Sequence, residues 1–261
     1  MNLDLSGKKA LICGGSRGLG LASAIELASL GAEITLLART EELLIENVKT
    51  LKSISDLNHD YLIGDLSDLA SLETTLGEYL KTADWQILLN NTGGPPGGNL
   101  IDANSTDLVI AFKRHIVASQ ELMQWILPGM KRVGYGRIIN IVSTSVRQPI
   151  KSLAVSNTIR GAMASWSKTL SNELAETGIT VNCILPGTTS TERIEEILNS
   201  RMKIYGYSYE EARDLMIQEI PMGRFAEPKE IGQVVAFVAS PAASYMTGTV
   251  IPVDGGKIKS I

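Results

Sequence analysis

The run Gly14-Gly15-Ser16-Arg17-Gly18-Leu19-Gly20 follows directly on the apolar stretch Ala10-Leu11-Ile12-Cys13 and leads into a helical pattern. A glycine-rich turn between a first strand and a helix lets backbone N–H groups and the positive end of the helix dipole meet a pyrophosphate closely. After the second strand pattern the chain reads Leu37-Ala38-Arg39-Thr40, with no acid at the point where one would hold the ribose hydroxyls of NAD. Arg39 stands there instead, joined by Arg17 from the glycine turn. Two guanidinium groups can make charge-assisted hydrogen bonds to one phosphate, so the pair points to the 2′-phosphate of NADP(H). The competing reading is two solvated surface arginines.

These residues need a scaffold, and the sequence supplies one in a regular β-α rhythm. Strand patterns run Lys9 to Cys13, Glu33 to Ala38, Asp60 to Ile63, Gln86 to Asn90, Arg137 to Val142, Thr180 to Leu185 and Val250 to Val253. Several are β-branched or leucine-rich, as strands buried on both faces are. Helical spacing covers Leu19 to Leu30, Glu41 to Leu51, Leu69 to Lys81, Thr106 to Lys131, Thr158 to Thr177 and Pro228 to Ala239, with Gly31 and Gly178 as C-terminal stops. The expected architecture is α/β: a single-domain, Rossmann-type, doubly wound parallel sheet over residues 1–261, with helices on both faces. Only Thr188 to Met222, rich in charge and tyrosine and bounded by prolines, leaves the rhythm, and a small lid insertion is expected there.

Composition excludes several function classes. With 44% hydrophobic residues the 261-residue chain can bury a full core, and 24 basic against 28 acidic residues leave a formal charge of -4, which gives no footprint for nucleic acid or anionic membrane. No apolar run approaches the roughly 20 residues of a membrane span. The amino terminus shows no basic region followed by an apolar stretch, so no signal peptide and a cytoplasmic location are expected. Cys13 and Cys183 lie in strand-like runs and read as inert buried thiols, with no metal site.

Further segments carry a family resemblance over nearly the whole chain. Cys13 to Gly20 resembles T-G-x-x-x-G-x-G, Asn90-Asn91-Thr92-Gly93 resembles N-N-A-G, Val181 to Gly187 followed by Thr191 resembles V-N-x-x-x-P-G-x-x-x-T, and Thr247-Gly248 followed by Val253-Asp254-Gly255-Gly256 resembles the closing T-G-x-x-x-x-V-D-G-G. In this order they resemble the short-chain dehydrogenase/reductase family, and in outline its 3-oxoacyl-carrier-protein reductases. The resemblance implies cofactor contact by Gly14, Ser16, Arg17, Gly18, Leu19, Gly20 and Arg39, adenine contact by Asp65 and Leu66, and a ribose floor from Asn90, Thr92 and Gly93. Pro186, Gly187, Thr189 and Thr191 would border the nicotinamide.

In that family a tyrosine gives a proton to the substrate carbonyl oxygen, a serine holds that oxygen, a lysine binds the ribose and lowers the tyrosine pKa, and an asparagine supports a water relay. Ser143 matches the serine, with Ser145 as the alternative, and His115 stands at the asparagine position as a relay group or a structural histidine. Ser156 and Arg160 take the tyrosine and lysine positions, in the register set by Gly161-Ala162-Met163. A serine hydroxyl is a far weaker acid than a phenol. Arg160 can hold ribose hydroxyls but stays charged. One of the lid tyrosines, Tyr205, Tyr207 or Tyr209, is a candidate replacement acid. Two functions follow: an NADP(H)-dependent oxidoreductase acting on a small carbonyl or alcohol with an atypical proton donor, or a catalytically impaired NADP-binding relative with a sensing or partner-binding role. The resemblance also implies a homotetramer built on the helices Thr106 to Lys131 and from Thr158, with Trp166 fitting close helix contact.

Overall fold

Seven short apolar segments lie side by side as a parallel sheet in the computed structural model, which describes residues 1–260. Along the chain, β1 (Lys9–Cys13), α1 (Gly18–Ser29), β2 (Glu33–Ala38), α2 (Glu41–Ile54), β3 (Asp60–Ile63), α3 (Leu69–Thr82) and β4 (Ile87–Asn90) form the first half. The second half comprises α4 (Ser105–Phe112), α5 (Ala118–Val133), β5 (Gly136–Ile141), α6 (Ala154–Leu174), β6 (Ile179–Pro186), α7 (Glu192–Tyr205), α8 (Tyr209–Gln218), α9 (Pro228–Ala239) and β7 (Val250–Val253). Strand order is β3-β2-β1-β4-β5-β6-β7. The chain therefore reverses direction across the sheet between β1 and β4, which register as Ala10 to Ile87 and Ile12 to Leu89. In such sheets the crevice outside the carboxyl ends at this reversal is where ligands bind.

Every residue of β4 and β5 is buried, which is why these strands read as continuous apolar runs and not as alternating ones. One face packs α1, α2 and α9 through Leu27, Leu44, Leu51, Ile231 and Val235. The other packs α3, α5 and α6 through Leu72, Leu122, Ile126 and Leu170, with Trp85 beneath them. Among the described residues, no helix is long and apolar enough to cross a membrane.

Three local expectations gain detail. The helix expected over Thr106 to Lys131 runs unbroken, but with a π-turn, Lys113–Val117, between α4 and α5. Uniform helical spacing conceals a single inserted residue of this kind, and such bulges gather near functional sites. The helix expected from Thr158 begins at Ala154, four residues earlier, so Ser156 lies inside its first turn. The insertion 188–222 is itself helical, its α7 and α8 closing a small core of Ile194, Leu198, Ala212, Met216, Ile220 and Phe225. Ser208 and Glu211 form a capping box that starts α8.

Candidate active site

The first wall of the crevice is the glycine turn. Gly14 and Gly18 have φ of 61° and 56°, a left-handed backbone open to glycine. A Cβ on Gly20 would lie 2.2 Å from the Gly14 carbonyl oxygen, and one on Gly14 would lie 2.4 Å from that of Asn91. The turn is thus packed against the end of β4. Its shape is held by Asn47 Nδ2, which donates to the Ser16 carbonyl at 2.8 Å, and by Asn91 Nδ2, which donates to that of Gly14 at 3.3 Å. The amino terminus of α1 has neither a side-chain cap nor an acid in its first turn. Its N–H groups and dipole are free to take an anion.

Arg17 and Arg39 flank this terminus, both more than half exposed. Each guanidinium faces a carboxylate: Arg39 with Asp65 at 3.7 Å, and Arg17 with Glu192, the first residue of α7. Asp65 in turn accepts from the Ser67 backbone and hydroxyl. Burial raises its pKa, but those bonds and the charges of Arg39 and Arg114 outweigh burial and hold the carboxyl below the usual range.

The second wall is formed by the ends of β4 and β5. Asn90 Nδ2 donates to Asn140 Oδ1 at 2.8 Å, and Asn140 Nδ2 donates to Ser167 Oγ at 2.8 Å, so a buried amide ladder ties both strands to α6. Cys183 lies beside it, its Sγ 3.1 Å from Ser167 Oγ, and burial pushes this thiol up to about 11. Cys13 is pushed by burial to about 12. Both are structural thiols, inert near neutral pH.

Arg160, one turn after Ser156 on α6, is 8% exposed. It donates from Nη1 to the Ile141 carbonyl at 2.7 Å and from Nη2 to the Thr92 carbonyl at 3.3 Å. Two of its donors are therefore engaged by strand-end carbonyls. Burial lowers its pKa to about 10, and it remains a cation at neutral pH. His115 lies in the π-turn, with Nδ1 against the Thr92 hydroxyl and Nε2 without a partner among the described residues. Desolvation first, then the charges of Arg160 and Arg114, depress its pKa to about 3. Of the two readings of His115, relay group or structural histidine, the hydrogen bond and the depressed pKa favour the structural one, a neutral imidazole near neutral pH. Thr92 touches both His115 and Arg160, and the three line a cavity of about 10 Å3. Nothing in the sequence spacing of Thr92 shows that its hydroxyl meets a histidine 23 residues on.

Ser143 lies two residues beyond β5, half-buried, and its hydroxyl accepts from the Ser145 backbone N–H at 3.1 Å. The short turn that follows, Thr144–Val146, packs on α6. Ser156 is half-buried on that helix. Ahead of it the chain passes through Ser152 at φ 63°, a left-handed conformation for a residue with a side chain. Gly98 holds this bend by donating to the Ser152 carbonyl at 2.7 Å and accepting from Ala154 N–H at 3.1 Å. The Gly93–Gly98 segment is by this means tied to the start of α6.

The last wall is the end of β6. A Cβ on Gly187 would lie 2.6 Å from Asp254 Cα, so the closing Asp254-Gly255-Gly256 segment packs directly on Pro186-Gly187. Thr189 is buried, with its hydroxyl donating to the Gly187 carbonyl at 3.2 Å, and Thr191 Oγ1 donates to the Thr189 carbonyl at 3.4 Å. Of the lid tyrosines, Tyr205 and Tyr207 stack at 5.5 Å, and Tyr209 donates to the Glu195 carboxylate at 3.0 Å. Trp166 is half-buried on α6 and donates to Gln120 Oε1 at 2.8 Å within the chain.

Comparison with known proteins gives a consistent picture. The family model described as enoyl-(acyl carrier protein) reductase matches residues 14–257. The NADPH-dependent reductase BacG of Bacillus subtilis is 30% identical over 266 residues, covering 98% of this chain and 100% of the relative. The 3-oxoacyl-[acyl-carrier-protein] reductase FabG of Pseudomonas aeruginosa is 30% identical over 260 residues, covering 99% and 100%. L-sorbose reductase from Gluconobacter frateurii, solved with NADPH and L-sorbose, superposes with a TM-score of 0.93 at 30% identity over 100% of both chains.

Proposed function

Because the chain belongs to the short-chain dehydrogenase/reductase family, we propose that it is an NADP(H)-dependent oxidoreductase that reduces a small carbonyl compound or oxidises the corresponding alcohol, with an atypical proton donor. The observation that carries the cofactor reading is the uncapped α1 terminus behind a glycine turn with no room for a Cβ at Gly14 or Gly20, flanked by two arginines and lacking an acid at the end of β2. NADPH-bound L-sorbose reductase and the NADPH-dependent BacG support the same choice.

The residues divide the work as follows. The N–H groups of Ser16, Gly18, Leu19 and Gly20 meet the pyrophosphate, and Arg17 with Arg39 bind the 2′-phosphate. Asp65 and Leu66 border the adenine, Asn90, Thr92 and Gly93 form the ribose floor, and Pro186, Gly187, Thr189 and Thr191 border the nicotinamide. The bound dinucleotide supplies or accepts the hydride. Ser143 would donate a hydrogen bond to the substrate oxygen, and Ser156, in the first turn of α6 at the sequence position of the family's tyrosine, would supply a hydroxyl. Arg160 would contribute fixed positive charge towards the ribose, and through the Ile141 and Thr92 carbonyls it holds the ends of β4 and β5 in place. His115, neutral, orients Thr92. Serine's weak acidity limits proton transfer, so orientation of hydride donor and carbon provides most of the rate.

The test is loss of NADPH absorbance in stopped flow across ketoses, 3-oxoacyl thioesters and cyclic ketones, comparing wild type with Ser143→Ala. Turnover with at least one class, falling about 10²-fold in kcat/KM when the Ser143 hydroxyl is removed, supports the reading. No turnover above buffer for any class would return the protein to the cofactor-binding, non-catalytic alternative.

A further inference from the structure

We infer that Glu192 on the lid is a stand-in for the cofactor's 2′-phosphate: its carboxylate holds Arg17 in the free protein and must release it when NADP(H) binds, which makes Glu192 a determinant of cofactor selectivity. The inference rests on the NADP(H) reading above and concerns a residue that neither motif nor resemblance singled out. Arg17 Nη1 pairs with Glu192 Oε2 across 175 positions of sequence. The start of α7 lies beside the glycine turn. A Cβ on Gly18 would lie 3.8 Å from Thr191 Cγ2, so the first turn of α7 rests on the glycine turn itself. On the opposite side, Arg193 Nη2 donates to the Pro95 carbonyl at 3.3 Å. Consecutive residues of α7 thus reach the two walls of the crevice, one through charge and one through a carbonyl.

The chemistry of this arrangement is competitive. A phosphate and a carboxylate make the same kind of charge-assisted, forked contact to a guanidinium. Arg17 cannot be fully engaged by both without bringing two anions together, so the energy of the Arg17–Glu192 pair is subtracted from binding of a phosphorylated cofactor. An unphosphorylated dinucleotide leaves the pair intact and loses nothing. The pair is more than half exposed on both sides, so the effect is modest, in the range of surface ion pairs.

Titration of NADPH and NADH into the full-length protein by cofactor fluorescence, for wild type, Glu192→Gln and Glu192→Ala, tests this. Both variants should raise the ratio of NADH to NADPH dissociation constants about threefold, chiefly by tightening NADPH. A substitution that merely loosened the lid would move both cofactors together and leave the ratio unchanged. That outcome, or a lowered ratio, overturns the inference while wild-type preference for NADPH stands. Wild type that binds NADH more tightly than NADPH overturns the cofactor reading itself, and the inference with it. Because Glu192 is an exposed helix-terminal residue, thermal melts of the variants should fall within a few degrees of wild type and confirm that each is folded.

Discussion

At the scale of single residues, the proposed site has a hydroxyl, Ser156, and a guanidinium, Arg160, at the positions where the resemblance would place a phenol and an amine. Ser156→Tyr combined with Arg160→Lys therefore distinguishes two histories. If the present residues serve a native reaction, the double variant loses at least tenfold in kcat/KM on that substrate, because the tyrosine fills space the substrate uses and the lysine leaves the Ile141 and Thr92 carbonyls less well satisfied. If catalysis has lapsed, the same variant gains reductase activity on a carbonyl panel by about 10²-fold or more. His115 yields a second prediction, read from pH. Its folded pKa of about 3 lies below the unfolded value near 6.5, so the native state binds fewer protons than the unfolded chain between those limits. The stability this contributes is complete above the unfolded pKa and is lost as pH falls through 6.5 towards 3, at a cost of about 2 kcal/mol by pH 5. Denaturation of His115→Asn should show a shallower loss between pH 7 and pH 5 than wild type. An equal slope in both would mean that the imidazole is solvated and titrates normally.

At the scale of elements, position in the sheet makes the glycine turn strict. Gly20→Ala puts a methyl 2.2 Å from a main-chain oxygen that cannot swing aside, so the α1 terminus must shift from Gly14. NADPH affinity measured by fluorescence should fall at least tenfold, whereas Gly161→Ala, where a Cβ meets nothing within 4 Å, should leave it unchanged. The contrast explains what the sequence makes legible. Strands buried on both faces and a turn with three obligatory glycines leave a dense local pattern, and β1, β2, β3 and β7 fall on the expected residues. The π-turn at Lys113–Val117 leaves none, because apolar residues keep an ordinary four-residue interval across it, from Phe112 to Ile116. Ser152 was invisible for a different reason: its left-handed backbone is imposed by Gly98, 54 residues away in sequence, and not by its own side chain. Contacts between distant segments, including Arg17 with Glu192 and Thr92 with His115, decide the electrostatics of the site, and single-residue motifs carry no record of them.

At the scale of the whole molecule, one helix is poorly accounted for by the single chain. The eight-residue α4 buries only Ala111, while Val109, Ile110 and Phe112 are each about half exposed, and Leu100 and Ile101 just before it are exposed as well. α4 runs through the π-turn into α5, and its apolar face is left largely uncovered by this chain. We propose that this exposed apolar patch is a contact surface, with a second copy of the chain as the occupant that the family resemblance implies. A homotetramer would sediment at about four times the 28.1 kDa chain mass. Replacing Val109 and Phe112 together by Asp should shift the sedimenting species towards a smaller assembly and make the melting temperature less dependent on protein concentration, since burial between copies stabilises by mass action. Light scattering that finds wild type at the mass of one chain across the micromolar range would assign the patch to something other than self-association. In that event α4 would have to be held by the loop Gly93–Gly98 and α6 alone, and the double Asp variant should melt at the wild-type temperature.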